Sequence, residues 1–176
     1  NNSGAKEVIL SGGDPLAIST KRLALILDGI QVPTVRIHTR APITEPSVVQ
    51  DSLLALLRGR RGIWVIVHCN HPRELSLDVR MALSRLRMTG VPLLNQAVLL
   101  KGVNDSVDTL ESLCTALVQE QVFPYYLHHT DSAAGNEVFR VDIERGLGIY
   151  RALSDRISGL ALPKYVIDPP DGSGKI

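Results

Sequence analysis

Three features of the chain predict an α/β fold in which βα units follow one another on a parallel sheet. Short apolar runs rich in β-branched residues recur along it, and amphipathic segments of helical period lie between them. The approximate onsets of the first five runs, at 7, 34, 63, 91 and 124, are 27 to 33 residues apart, close to the roughly 30 residues of a βαβ unit. The runs are 8–10, 34–37, 63–67, 91–100, 124–127 and 165–167. Each is short and continuous rather than strictly alternating, which predicts strands buried on both faces. Five such units in succession leave two architectures open, a barrel and a doubly wound sheet. With 176 residues the chain has the length of a single domain, and residues 1–176 are expected to form one.

Composition narrows the function classes. The 19 basic and 18 acidic residues leave a formal charge of +1, too balanced to argue for a nucleic-acid or anionic-membrane surface. Apolar residues make up 44% and charged residues 21%, ordinary globular usage that excludes disordered, collagen-like and disulfide-scaffold classes. The two cysteines, Cys69 and Cys114, fit neither a zinc pattern nor a disulfide framework, so a reducing, cytoplasmic compartment is expected. No run of about 18 apolar residues occurs and Asn1 to Lys6 do not form a signal peptide, so neither a membrane span nor export is expected. A strand-like run begins at Glu7 almost without a leader, and the chain stops just past a Gly-rich stretch, which reads as an excerpt of a longer protein.

Between the runs, Val79, Ala82, Leu83 and Leu86 recur at helical spacing ahead of Gly90, expected at C′. Val107, Leu110, Cys114, Leu117 and Val118 line a second helix after the candidate N-caps Asp105 and Ser106. A third, weaker pattern covers 140–153, where Gly146 and Gly148 each cost about 1 kcal/mol against Ala in a helix interior. Arg58, Arg60 and Arg61 fall where a helix should end, read as cations at its negative terminus without a function.

In either parallel architecture the chain just past the C-terminal ends of the strands converges on one mouth, where chemistry is to be sought. Ser11-Gly12-Gly13-Asp14-Pro15 follows the first run; the glycines allow close approach, and Asp14 is an acceptor suited to an ammonium or hydroxyl. The alternative is a strand-to-helix turn with Asp14 as a cap. His38-Thr39-Arg40 follows the second run and His68-Cys69-Asn70-His71-Pro72 the third. His68 and His71 invite a metal reading, but no third ligand is local, and hydrogen bonding in the mouth is preferred. Asn95-Gln96 lie within the fourth run, and the fifth leads through His128-His129-Thr130 to Asp131. Asp131 and Asp168, two carboxylates from separate strand ends, can jointly hold a cationic amine, or serve as a cap and a turn-former. Lys175 follows Gly172-Ser173-Gly174. The spacing fails as a phosphate loop, whereas a lysine on a flexible arm suits a Schiff base with an aldehyde cofactor; a solvated terminal lysine is the plain alternative.

Together these strings resemble the lysine 2,3-aminomutase family of radical S-adenosylmethionine (SAM) enzymes. The resemblance is carried by 8–16, Asn70-His71-Pro72, 91–105, Pro124-Tyr125-Tyr126-Leu127, Phe139-Arg140-Val141 and the ending from Val166 to Lys175, in the family's order and across nearly the whole chain. It implies a partial (β/α)6 TIM-type barrel of the radical SAM superfamily. The first strand and a CxxxCxxC loop holding a four-iron four-sulfur cluster would lie upstream of Asn1. This chain has no such cysteine triplet, so either the excerpt begins after it or the protein is a degenerate homologue.

Carried over position by position, Gly12, Gly13 and Asp14 match the motif that receives the SAM amino group. His68 and Gln96 match polar positions near SAM and pyridoxal 5′-phosphate (PLP), and Lys175 matches the lysine that anchors PLP, on a C-terminal segment 164–176. Asp131 and Asp168 match the carboxylates that hold the substrate's ε-ammonium, and two acids point to lysine rather than glutamate as substrate. The implied reaction moves the amino group of L-lysine from C2 to C3, giving β-lysine by a 5′-deoxyadenosyl radical mechanism with PLP. The expected partner is this small molecule, with neither nucleic acid nor membrane, and with a homo-oligomer left open. Two other readings stay in view: a non-radical Schiff-base lyase using Lys175, and a non-catalytic amino-acid-binding homologue. Whether the role is catabolic or serves elongation factor P modification is open.

Overall fold

The computed structural model describes residues 4–130 and 135–167. Every apolar run becomes a strand: β1 Glu7–Leu10, β2 Thr34–Thr39, β3 Ile63–His68, β4 Leu93–Leu99, β5 Phe123–His129 and β6 Lys164–Val166. They lie in one six-stranded sheet in chain order, β1-β2-β3-β4-β5-β6. Neighbouring strands pair in parallel, with Val8 opposite Val35, Arg36 opposite Trp64, and His128 opposite Val166. A doubly wound sheet reverses its strand order at a switch point. Sequential order is the topology of a partial (β/α)6 TIM-type barrel, which settles the fold class.

The strands depart from the expectation of burial on both faces. In β2 burial alternates, with Val35, Ile37 and Thr39 buried and Thr34, Arg36 and His38 half-exposed. β4 alternates likewise, with Asn95, Ala97 and Leu99 buried and Gln96 and Val98 half-exposed. One face thus packs in the core and the other is half-exposed, a period of two that apolar residues on both faces obscure in the sequence of β4.

Six α-helices fill the connections: α1 Thr20–Gly29, α2 Ala41–Thr44, α3 Asp51–Leu57, α4 Leu77–Arg87, α5 Val107–Gln119 and α6 Ile143–Ser154. Ser19, Ser76 and Ser106 cap α1, α4 and α5, each accepting from the N3 backbone N–H. Helix α4 buries the expected Val79, Ala82, Leu83 and Leu86. Its end differs from expectation: Met88 is the C-cap, and the Thr89 hydroxyl donates to the Leu86 carbonyl at 2.6 Å. Gly90 makes its left-handed turn, φ +86°, two residues past the cap. Helix α5 buries Leu110, Leu113, Cys114 and Leu117, with Val107 and Val118 at the edges of the stripe. Asp105 does not cap it; its carboxylate instead accepts from Gly102 N at 2.8 Å and pairs with Arg145. The basic cluster sits at the end of α3 as expected, Arg60 Nε donating to Leu56 O at 2.9 Å while its guanidinium pairs with Asp28.

The chain divides into two compact units. In the first, residues 4–68 with 76–94, β1–β3 and α1–α4 enclose a core that includes Leu23, Ile37, Leu57, Ile66, Leu83 and Leu86, each essentially inaccessible. In the second, 69–75 with 95–167, α5 and α6 pack on each other and Leu99, Leu110, Leu117 and Leu127 form the centre. Among the described residues no helix is long and apolar enough to cross a membrane.

Candidate active site at the strand ends

In the first unit the site begins where β1 ends. Gly12 and Gly13 have φ of +88° and +63°, and a Cβ built on either meets nothing within 4 Å. The backbone conformation, not crowding, requires glycine here, and it leaves the turn open to a ligand at close range. Asp14 holds the turn. Its Oδ1 accepts from Leu16 N at 2.9 Å and Thr39 Oγ1 at 2.6 Å, and its Oδ2 from Arg40 N at 2.6 Å and Ala41 N at 2.8 Å. Helix α2 has no side-chain cap of its own, so Asp14 caps it from another strand's end. Partial burial is the largest single influence on this carboxyl and pushes its pKa up. The hydrogen bonds from Thr39, Leu16, Arg40 and Ala41 together outweigh it and hold the group below its ordinary value.

On the half-exposed face of β2 and β3, the His38 and His68 rings meet edge to face at 5.7 Å, and Arg36 pairs with Glu7 at 2.6 Å. Arg40 donates to the His68 carbonyl at 3.2 Å. This face therefore joins imidazole and guanidinium groups above the glycine turn's own strand and its neighbours.

In the second unit three asparagines bind the chain after β3 to β4. Asn95, 2% exposed, accepts from Cys69 N at 2.9 Å and donates to Cys69 O at 3.1 Å, reproducing a rung of sheet with its side chain. Asn70 Oδ1 accepts from Val98 N at 2.9 Å. Asn104, fully buried, accepts from Leu100 N at 2.7 Å and donates to both Asn70 O and Val98 O at 2.8 Å. Replacing Asn104 by Ala removes the partner of three buried backbone groups, each costing about 1–3 kcal/mol when unmade. A loss of about 2–4 kcal/mol in urea unfolding is expected, and a midpoint within error of wild type would refute this role.

The asparagines fix β4, and with it Gln96, which stands on the half-exposed face with Val98. On β5, Tyr126 and His128 share a face and meet edge to face at 5.5 Å, and Tyr125 donates to the Tyr126 hydroxyl at 2.9 Å. The paired rings of Tyr126 and His128 suit a flat heteroaromatic ligand. The chemistry of the donor set therefore fits a pyridine ring. At the next position His129 Nδ1 lies 2.6 Å from Tyr165 Oη.

His71 is not a metal ligand here: its Nδ1 accepts from Arg73 N at 3.1 Å and caps the short turn Pro72–Glu74. Among the described residues no group of three or more His, Cys, Asp or Glu is placed to hold a metal ion. Both cysteines are buried, and burial pushes the Cys114 thiol up to about 12, so neither suits an iron–sulfur cluster. Asp131, Asp168 and Lys175 lie outside the described residues.

No family model matches the chain. Individual relatives do. The chain is 41% identical over 180 aligned positions to the L-lysine 2,3-aminomutase of Methanococcus maripaludis, an alignment that takes in 100% of this chain and 42% of the relative. Against the protein of the same name from Fusobacterium nucleatum it is 38% identical, over 97% of this chain and 41% of the relative. Over its whole length the chain belongs to the lysine 2,3-aminomutase family. It spans roughly half the length or less of these curated relatives, 53% in the case of the Buchnera aphidicola L-lysine 2,3-aminomutase, to which it is 35% identical.

Solved structures share the fold of the six-stranded sheet with its helices. A radical SAM methyltransferase from Sphaerobacter thermophilus superposes with a TM-score of 0.64 at 19% identity, over 93% of this chain and 51% of the other. Streptococcus suis SuiB bound to S-adenosylmethionine gives 0.63 at 11% identity, over 93% and 39%. A domain of a pyruvate-formate lyase-activating enzyme from Bacteroides vulgatus gives 0.57 at 16%, over 92% and 98%.

Proposed function

We propose that this chain carries the substrate and cofactor side of a lysine 2,3-aminomutase, a cytoplasmic isomerase that converts L-lysine to β-lysine. The observation that carries this reading is the end-to-end match to curated proteins of that name at 35–41% identity. The open Gly12–Gly13 turn, held in shape by Asp14, supports a site for the amino end of SAM. The Tyr126 and His128 rings on β5 support PLP, and His68 and Gln96 are taken from the resemblance as polar positions near SAM and PLP. Cys69 and Cys114 do not supply a cluster site, and in this reading the iron ligands belong to protein outside these 176 residues.

When bound, SAM with a reduced cluster supplies the one-electron hydrogen abstraction, and PLP supplies the unsaturated carrier on which nitrogen migrates. The task of this chain is placement. Asp131 and Asp168 take the ε-ammonium of lysine, Lys175 fixes the PLP aldehyde carbon, and the distance between those two anchor points sets which C–H faces the oxidant.

Lys175→Ala in the intact protein is expected to abolish the visible absorbance of covalently held PLP at neutral pH. A spectrum identical to wild type would reject Lys175 as the anchor.

A further inference from the structure

His38 stands near the end of β2 with no part in the reading above, and its surroundings give it one. It lies on the half-exposed face of the strand, opposite Ile66 of β3. His68 follows Ile66 by two residues and so shares its face of the sheet. The two imidazoles are therefore diagonal neighbours across the β2–β3 pair, and they meet at 5.7 Å with ring planes inclined by 89°. Aromatic rings prefer this edge-to-face arrangement, in which the plane of one ring constrains the plane of the other.

The end of β2 is a firm wall for such a contact. The next two positions are both tied to the Asp14 carboxylate, Thr39 Oγ1 and Arg40 N each donating to it at 2.6 Å. Arg40 Nη1 also donates to the His68 carbonyl at 3.2 Å. His68 is thus held twice from β2, by its backbone through Arg40 and by its ring against His38. The same strand end is fixed to the Gly12–Gly13 turn through Asp14, so the turn and the His68 ring sit in one frame. A half-exposed ring without such a neighbour samples several rotamers. Ordering one side chain at the moment of binding lowers affinity by roughly 2- to 10-fold.

We infer that His38 is a positioning residue that presets the His68 ring for SAM. The inference deepens the SAM reading of this site and rests on it: His68 meets the cofactor, and His38 acts only through His68. The contribution of His38 is preorganisation, which spares the cofactor the cost of ordering a ring.

The test measures SAM affinity by titration calorimetry of the intact, cluster-loaded protein without reductant, so that no turnover enters. His38→Leu keeps bulk at the position and removes the ring, and it is expected to weaken SAM binding about 5-fold. His38→Phe keeps a ring against His68 and is expected to stay within about 2-fold of wild type. In a His68→Leu background, His38→Leu is expected to cause no further loss, because the group it acts through is gone. A general loosening of the fold would weaken binding in both backgrounds. His38→Asn makes the same comparison should the leucine variant fold poorly. Wild-type affinity in His38→Leu, a phenylalanine variant as weak as the leucine one, or an equal loss in both backgrounds overturns the inference alone. A His68→Leu protein that binds SAM as tightly as wild type removes His68 from the SAM site, and the inference falls with that reading.

Discussion

Replacing Asp131 or Asp168 by Asn in the intact protein is expected to lower lysine turnover by about 10²-fold or more. Each carboxylate that contacts the ε-ammonium contributes a charge-assisted hydrogen bond worth about 1.5–3 kcal/mol, and its loss also lets the chain of methylenes drift from the reacting geometry. An amide keeps the size and removes the charge, so a large effect reports electrostatics rather than packing. Steady-state kinetics with lysine measures it. In the proposed reading the two acids form one grip, so the double variant is expected to fall little further than the worse single one. Wild-type turnover in either single variant would remove that residue from the substrate site.

The second large effect concerns stability. Asp14→Ala is expected to destabilise the protein by about 2–4 kcal/mol, because three backbone N–H groups and the Thr39 hydroxyl lose one charged acceptor together. Solvent reaches part of this turn, which keeps the loss below the sum of four buried bonds. Its pH dependence follows from the direction of the shift. A carboxyl held below its ordinary value binds its proton less readily folded than unfolded. Its stabilisation is therefore complete above about pH 4, the unfolded value, and is lost as the pH falls below that through the lowered folded value. The stability difference between wild type and Asp14→Asn, followed by denaturant unfolding, is expected to shrink as the pH falls below about 4. A difference constant down to pH 2 would contradict this role.

The strands, their spacing and the Ser106 cap were legible because each rests on local chemistry. Apolar runs, a Ser ahead of a helical stripe and glycines at a strand end all declare themselves within a few residues. The alternation of β4 did not, since Leu94 and Val98 on its half-exposed face merge with the buried Leu93, Ala97 and Leu99 into one apolar run, whereas that of β2 stands in the sequence as Val35-Arg36-Ile37-His38. Asp14 was read as a ligand or as a cap of its own helix, and it caps α2 from 27 residues away, a relation that only the register of β1 with β2 creates. Gly146 was legible as a cost but not in its cause, because the ring that needs the space arrives with Tyr165. Asn95 carried a usable signal: an amide in the middle of an apolar strand must find backbone partners, and it finds both groups of Cys69. Asp131, Asp168 and Lys175, read from their place past the strand ends and then from the family resemblance, lie outside the described residues.

The most direct measurement uses L-lysine carrying nitrogen-15 in its α-amino group, incubated with the intact protein, SAM, PLP and a reductant, and followed by NMR. The label is expected to appear on C3 of β-lysine, with 5′-deoxyadenosine formed alongside. Label that stays on C2 while SAM is cleaved, or lysine returned unchanged, would contradict amino-group migration in this protein.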